Sequence, residues 1–209
     1  MHILFENEDL LVVEKAVGIA VIPERRDTAP CLLHLLETMR DERLYVVHRL
    51  DKEVSGVLLF ARNAHMHRHL SLAFEQRRVR KSYLALVHGQ LTREEGTVDA
   101  PIRIFGSGRM GVDALSGKKS LTHWKREAGG NGMTRLAVFP VTGRRHQIRV
   151  HLYHMGHPIV GDRRYGEKAM QQEWPRLMLH AHQLECCLPS GEMLHVVSSM
   201  PAVFETLLR

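Results

Sequence analysis

Between Lys81 and Val141 one short strand-like run follows another with no helical stretch between them, and this ordering most narrows the fold. Lys81-Ser82-Tyr83-Leu84-Ala85-Leu86-Val87 alternates well enough for a strand and stops at Gly89. Strand-like pieces follow at 100–105 and 121–126, then a run over 133–141. Parallel strands need a crossover, usually a helix, so consecutive strands favour a mixed α+β sheet over a regular βαβ winding. Earlier runs at 10–13, 45–47 and 57–60, and later ones at 178–188 and 192–197, extend the same sheet.

Helices are fewer. Residues 31–40 put Leu32, Leu35, Leu36 and Met39 on one predicted buried face. Asn63 is placed to cap a helix carrying Met66, Leu70, Ala73 and Phe74. The stretch 145–155 aligns Ile148, Leu152 and Met155 before a stop at Gly156, and Pro201 opens a last helix with Val203, Phe204 and Leu207. No repeat, low-complexity tract or linker breaks the chain, so residues 1–209 are expected to form a single domain.

The balance of 29 Lys+Arg against 23 Asp+Glu favours a polyanionic partner. Three cysteines, two of them adjacent at Cys186 and Cys187, supply neither a disulfide framework nor zinc spacing, which points to a reducing compartment, the cytoplasm. The acidic start lacks a leader's basic region, and no run approaches the roughly 20 apolar residues of a membrane span.

The segment His48-Arg49-Leu50-Asp51 sets a carboxylate beside a permanent cation between two apolar strands. An ionisable pair at the edge of a core is costly unless paired or used, so Asp51 is a catalytic candidate as well as a solvated turn residue. Gly106-Ser107-Gly108-Arg109-Met110-Gly111 spells a dinucleotide fingerprint, but no helix can begin inside it before Gly117. A glycine-rich loop is expected there. His65, His67 and His69 point in different directions on a helix and cannot close on one metal ion. Arg144, Arg145, His146, Gln147 and Arg149 gather around a helix start, which is suited to phosphate; the alternative is a solvated basic face.

Taken in order, His48-Arg49-Leu50-Asp51 with Ser55-Gly56-Val57-Leu58-Leu59-Phe60-Ala61, the run from Lys81 to Gly89, Thr142-Gly143-Arg144-Arg145-His146-Gln147-Ile148-Arg149-Val150-His151-Leu152 and Gly156-His157-Pro158-Ile159-Val160-Gly161-Asp162 resemble the RluA-type pseudouridine synthases. Arg176-Leu177-Met178-Leu179-His180-Ala181 is similar too, and the likeness spans about residues 3–200. Val54 stands where the family often has Thr, and Ala16 where it often has Pro.

The resemblance implies the pseudouridine synthase fold with a largely antiparallel sheet, flanking helices and a central basic cleft. It also implies isomerisation of a uridine in tRNA or rRNA, moving the glycosidic bond from N1 to C5 without metal or organic cofactor. Carried over by position, Asp51 is the essential carboxylate, Tyr83 the ring that packs on uracil and Arg149 the cation paired with Asp51. Arg49 would enter the stack vacated by the flipped base. His48, Arg144, Arg145, His146 and Gln147 would contact RNA, and Ile148 and Leu179 would be apolar pocket walls. Many relatives carry an amino-terminal RNA-binding domain, whereas this sequence begins at the catalytic one, so the catalytic face itself is expected to recognise RNA. A monomer is the simplest expectation.

The chemistry agrees with these residue types. Extruding a base costs a few kcal/mol of stacking, which an aromatic platform and an intercalating guanidinium offset. An ionised carboxylate in a pocket that excludes water needs an opposing cation. A covalent route and a route through a glycal both stay open. Two rivals from other classes are an inactive RNA-binding module and a metal-dependent nuclease.

Overall fold

A computed structural model describes residues 2–24 and 29–209. In chain order the strands are β1 (His2–Glu6), β2 (Leu10–Lys15), β3 (Tyr45–Val46), β4 (Ser55–Ala61), β5 (Arg80–His88), β6 (Glu95–Asp99), β7 (Ile102–Ile104), β8 (Met110–Val112), β9 (Leu121–Gly130), β10 (Met133–Pro140), β11 (Leu179–Cys187) and β12 (Met193–Val197). The helices are α1 (Leu32–Arg40), α2 (Ala64–Glu75), α3 (Gln147–His154), α4 (Lys168–Gln172) and α5 (Val203–Thr206). They form two compact units, residues 1–81 with 181–199 and residues 82–180 with 200–209.

In the first unit β1, β2 and β4 pair antiparallel, β3 lies on β4 and β12 on β11. Every residue of β4 is buried, as are Leu10 to Val13 of β2. Continuous apolar runs of this kind are what strands covered on both faces require. Leu10, Val12, Val57 and Leu59 share one cluster with Met66, Leu70 and Ala73 of α2 and with Leu184 and Val196. The predicted cap is present: the Asn63 side chain accepts the N–H of Met66 at 2.9 Å and donates to Asp9 at 2.6 Å. Gly56 is fixed by close packing and by φ +113, since a Cβ there would lie 2.1 Å from the Ala181 carbonyl oxygen.

The predicted inner face of α1 needs correcting. Leu32 and Leu36 are buried, but Leu35 is 39% and Met39 72% exposed. This short helix is covered along one line only, so half of its apolar stripe faces outward.

In the second unit the antiparallel order is β5, β10, β9, β6, with β7 and β8 as a separate hairpin. Strand β6 was not foreseen. Its sequence Glu-Gly-Thr-Val-Asp buries only Val98, and its place on β9 depends on Gly96, where a Cβ would lie 2.5 Å from the Trp124 ring. Residues 105–109 close the β7–β8 turn through Gly108 N–H to Phe105 O at 2.8 Å and Phe105 N–H to Arg109 O at 2.9 Å. The glycine-rich segment is therefore a hairpin tip. Helix α3 starts after His146, which adopts a left-handed conformation, and the chain leaves it through Gly156 at φ +81.

Candidate active site

Asp51 lies at the end of a loop built from several anchors in the first unit. Ladder pairing between β3 and β4 ends at Val46–Phe60, and the next strand N–H, that of Leu59, donates instead to Nε2 of His48 at 3.1 Å. An N–H donor requires a lone pair on Nε2, so the imidazole is neutral. Burial, assisted by the Lys81 charge, holds its pKa at about 3. The His48 ring stacks on Phe74 at 4.8 Å, and the Lys81 ammonium lies over the same Phe74 ring at 5.7 Å. Burial also lowers the pKa of Lys81.

Beyond the loop's start, Leu50 points into the core while Arg49 is exposed and Asp51 half-buried. The far side is held by Lys15, a lysine with no exposed surface. Its ammonium donates to the carbonyls of Ala16 at 2.9 Å, Ile19 at 2.8 Å and Lys52 at 3.1 Å. Gly18 N–H also reaches the Lys52 carbonyl, at 2.8 Å, and Val54 N–H closes back on the Asp51 carbonyl at 3.0 Å. One buried cation thus ties the Lys-x-x-Gly turn to the residue after Asp51.

In the second unit Tyr83 is half-buried on β5 opposite Val138. Ile148 and Leu179 are buried. The predicted basic cluster around α3 divides in two. Arg145 is exposed and Arg144 half-buried, with its Nε–H on the Lys119 carbonyl at 3.3 Å. Gln147 is core: its Oε1 accepts from Thr142 at 2.6 Å and from Arg144 N–H at 3.0 Å, and its Nε2 donates to Leu121 O and Thr122 Oγ1, both at 3.0 Å. His146 contacts the Tyr165 hydroxyl through Nδ1 at 2.7 Å.

Arg149 is 3% exposed, and it meets Asp162, which is fully buried, in a two-bond pair. Nε and Nη2 donate to the two carboxylate oxygens, each at 2.8 Å. Asp162 Oδ1 also accepts the N–H groups of Arg164 at 3.0 Å and Tyr165 at 3.1 Å. The buried Tyr165 ring lies 5.3 Å from the guanidinium carbon. Its hydroxyl accepts from Met110 N–H at 3.2 Å, and burial pushes its pKa up. Gly161 precedes this aspartate at φ +76, and a Cβ there would lie 1.9 Å from the Arg176 carbonyl oxygen. Its N–H donates to the buried Gln171 side chain at 2.6 Å.

Two of the three alternating histidines have separate surroundings: His67 lies beside Tyr45 at 5.4 Å, and His69 contacts the Cys187 carbonyl at 2.8 Å. Among the described residues no group of three metal-type ligands converges.

The model of the RNA pseudouridylate synthase family matches residues 9–154. An RNA pseudouridine synthase of Zymomonas mobilis is 35% identical, the match covering 99% of this chain and 96% of that relative. The chain belongs to the RNA pseudouridylate synthase family. The tRNA pseudouridine synthase C of Haemophilus ducreyi is 34% identical over 96% of this chain and 90% of its own. Among solved structures, human RNA Pseudouridylate Synthase Domain Containing 1 has a TM-score of 0.82 and 31% identity, covering 99% of this chain and 85% of that one. The α+β pseudouridine synthase fold and the RluA-type resemblance are both borne out.

This synthase is an isomerase acting on uridine in RNA. In pseudouridine formation the N1–C1′ bond breaks, C5 bonds to C1′, the C5 proton leaves and N1 gains a proton. Two residues that hold the candidate site went unrecognised in the sequence. Lys15 ends an apolar run and reads as a strand terminus, although a lysine directly after Leu-Leu-Val-Val-Glu is the signal that could have marked it. Asp162 sits within a segment that carried the resemblance, but a lone acid after glycine reads as a turn. No helix is long and apolar enough to cross a membrane among the described residues.

Proposed function

We propose that this synthase acts on a uridine in a structured stem-loop of tRNA or rRNA, with Asp51 as the essential carboxylate. Tyr83 packs on the everted uracil, Arg149 is the cation paired with Asp51, and Arg49 enters the space left in the RNA stack. Arg144 and Arg145 bind phosphate, and Ile148 and Leu179 wall the base pocket. The observation that carries the reading is Asp51 itself: the residue that the family resemblance marks sits half-buried in a loop pinned by the Lys15 ammonium and the neutral His48. A geometry fixed by core groups is what a reacting carboxylate needs, because misplacement by about 1 Å can cost about a hundredfold in rate.

The family match runs through residues of both units, which supports one catalytic domain. Free cysteines at Cys31, Cys186 and Cys187 support a reducing compartment, the cytoplasm. A monomer without metal or organic cofactor completes the proposal.

Asp51→Ala tests it. Total RNA from cells lacking the gene, labelled with tritium at uracil C5, releases that tritium when C5 becomes bonded to the sugar. The variant is expected to release none while binding RNA with parental affinity. Parental turnover by the variant would refute the assignment of Asp51.

A further inference from the structure

We infer that Asp162 is a positioning residue of this synthase, acting through Arg149; the inference rests on the role proposed above for that arginine. A guanidinium is planar and presents five N–H donors in a rigid fork, so gripping one edge fixes the direction of every other donor. Asp162 grips the Nε–Nη2 edge with both oxygens at 2.8 Å, and both side chains are within the protein interior. The Tyr165 ring backs the guanidinium from 5.3 Å. Rotation about the last side-chain bonds of Arg149 is thereby arrested from the edge and from one side.

Asp162 is held just as firmly. Its Oδ1 takes two backbone N–H groups, and the preceding Gly161 tolerates no side chain and is bonded to Gln171. The carboxylate therefore cannot follow a moving arginine, and the arginine is referred to the backbone of residues 161–165. A pair serving stability alone is a weak use of two buried charges, because replacing such a pair by apolar residues is often neutral. Asp162 also offsets much of the Arg149 charge. Its contribution to a second carboxylate is then one of direction: the opposite edge of the fork is aimed before substrate arrives.

The test compares Asp162→Asn, Arg149→Gln and the double variant, using the tritium-release assay at saturating RNA and filter binding for affinity. Asparagine keeps the volume and the acceptor for Arg164 and Tyr165, but sets a donor against the Arg149 Nε–H. The expected result is a fall in kcat of about a hundredfold with RNA affinity within about threefold of the parent. Adding Asp162→Asn to Arg149→Gln is expected to change kcat by less than about twofold, since groups that act as a unit are not additive. The double variant carries no buried charge from this pair, so it keeps the comparison with Arg149→Gln available if Asp162→Asn alone fails to fold. Parental kcat in Asp162→Asn, or a further loss beyond about tenfold in the double variant, would overturn the positioning role alone. A parent enzyme that releases no tritium would overturn the functional reading, and this inference with it.

Discussion

The Lys15 ammonium lies 3.1 Å from the carbonyl oxygen of Lys52, the residue that follows Asp51, so a core cation sets where the candidate catalytic loop begins to leave it. The same group holds the carbonyls of Ala16 and Ile19, and the turn between them presents Gly18 N–H to Lys52. The loop and the early turn are one hydrogen-bonded unit with Lys15 at its centre.

Replacing that ammonium with an apolar chain of similar length removes the charge but leaves the carbonyls it served unpaired. Lys15→Met is expected to lower stability by about 2–4 kcal/mol. Pseudouridine formation is expected to fall further than the loss of folded enzyme explains, because the Asp51 loop loses its anchor. Urea unfolding followed by turnover at a temperature where the variant is fully folded separates the two effects. Normal turnover by the folded variant would show that the loop keeps its shape without Lys15.

His48 gives a pH signature. Its folded pKa, held at about 3, lies below the usual value of 6.5. The unfolded chain therefore takes up the proton first as pH falls, and protonation favours unfolding. The contribution is fully present above pH 6.5 and is lost progressively as pH drops from 6.5 toward 3, with a slope of at most about 1.4 kcal/mol per pH unit. His48→Gln can still accept the Leu59 N–H but does not titrate, so its stability should vary less steeply than the parent's between pH 6.5 and 4.5. Unfolding midpoints at several pH values in that window check this, and parallel profiles would remove the half-buried neutral imidazole from the account.

What was legible in the sequence follows from how local each signal is. Strand β4 and helix α2 could be placed because apolar runs and the Asn63 cap are decided by neighbours in the chain. Asp51, Tyr83 and Arg149 are proposed as site residues because ordered motifs carry them. Strand β6 escaped because its identity lies in pairing with β9 and in the room Gly96 leaves for Trp124, neither of which its own residues express. The outer half of the α1 stripe was misplaced because periodicity gives a face but not how much of it a neighbour covers. Asp162 escaped for a related reason: its partner Arg149 is thirteen residues away on α3, and a charge pair closed by the tertiary fold leaves no local pattern.

Residues 144–149 show the same limit within one segment and yield the last prediction. Their cations and amides read as a single phosphate-binding cluster, yet Arg145 is exposed whereas Gln147 is 4% exposed with both ends of its amide bonded to protein. Arg145→Ala should therefore weaken RNA binding, lower the slope of log affinity against log salt by about one, and leave stability within about 0.5 kcal/mol. Gln147→Ala should do the reverse. It strips partners from Thr142, Thr122 and the Arg144 N–H in the core, at a cost of about 1–3 kcal/mol, while leaving the salt slope of the folded fraction unchanged. Filter binding across a range of salt concentrations, set beside urea unfolding of the same preparations, distinguishes the two. If Arg145→Ala keeps the parental salt slope, phosphate contact at this helix start is wrong. If Gln147→Ala is as stable as the parent, the hydrogen bonds that seat the start of α3 matter less to the fold than their burial implies.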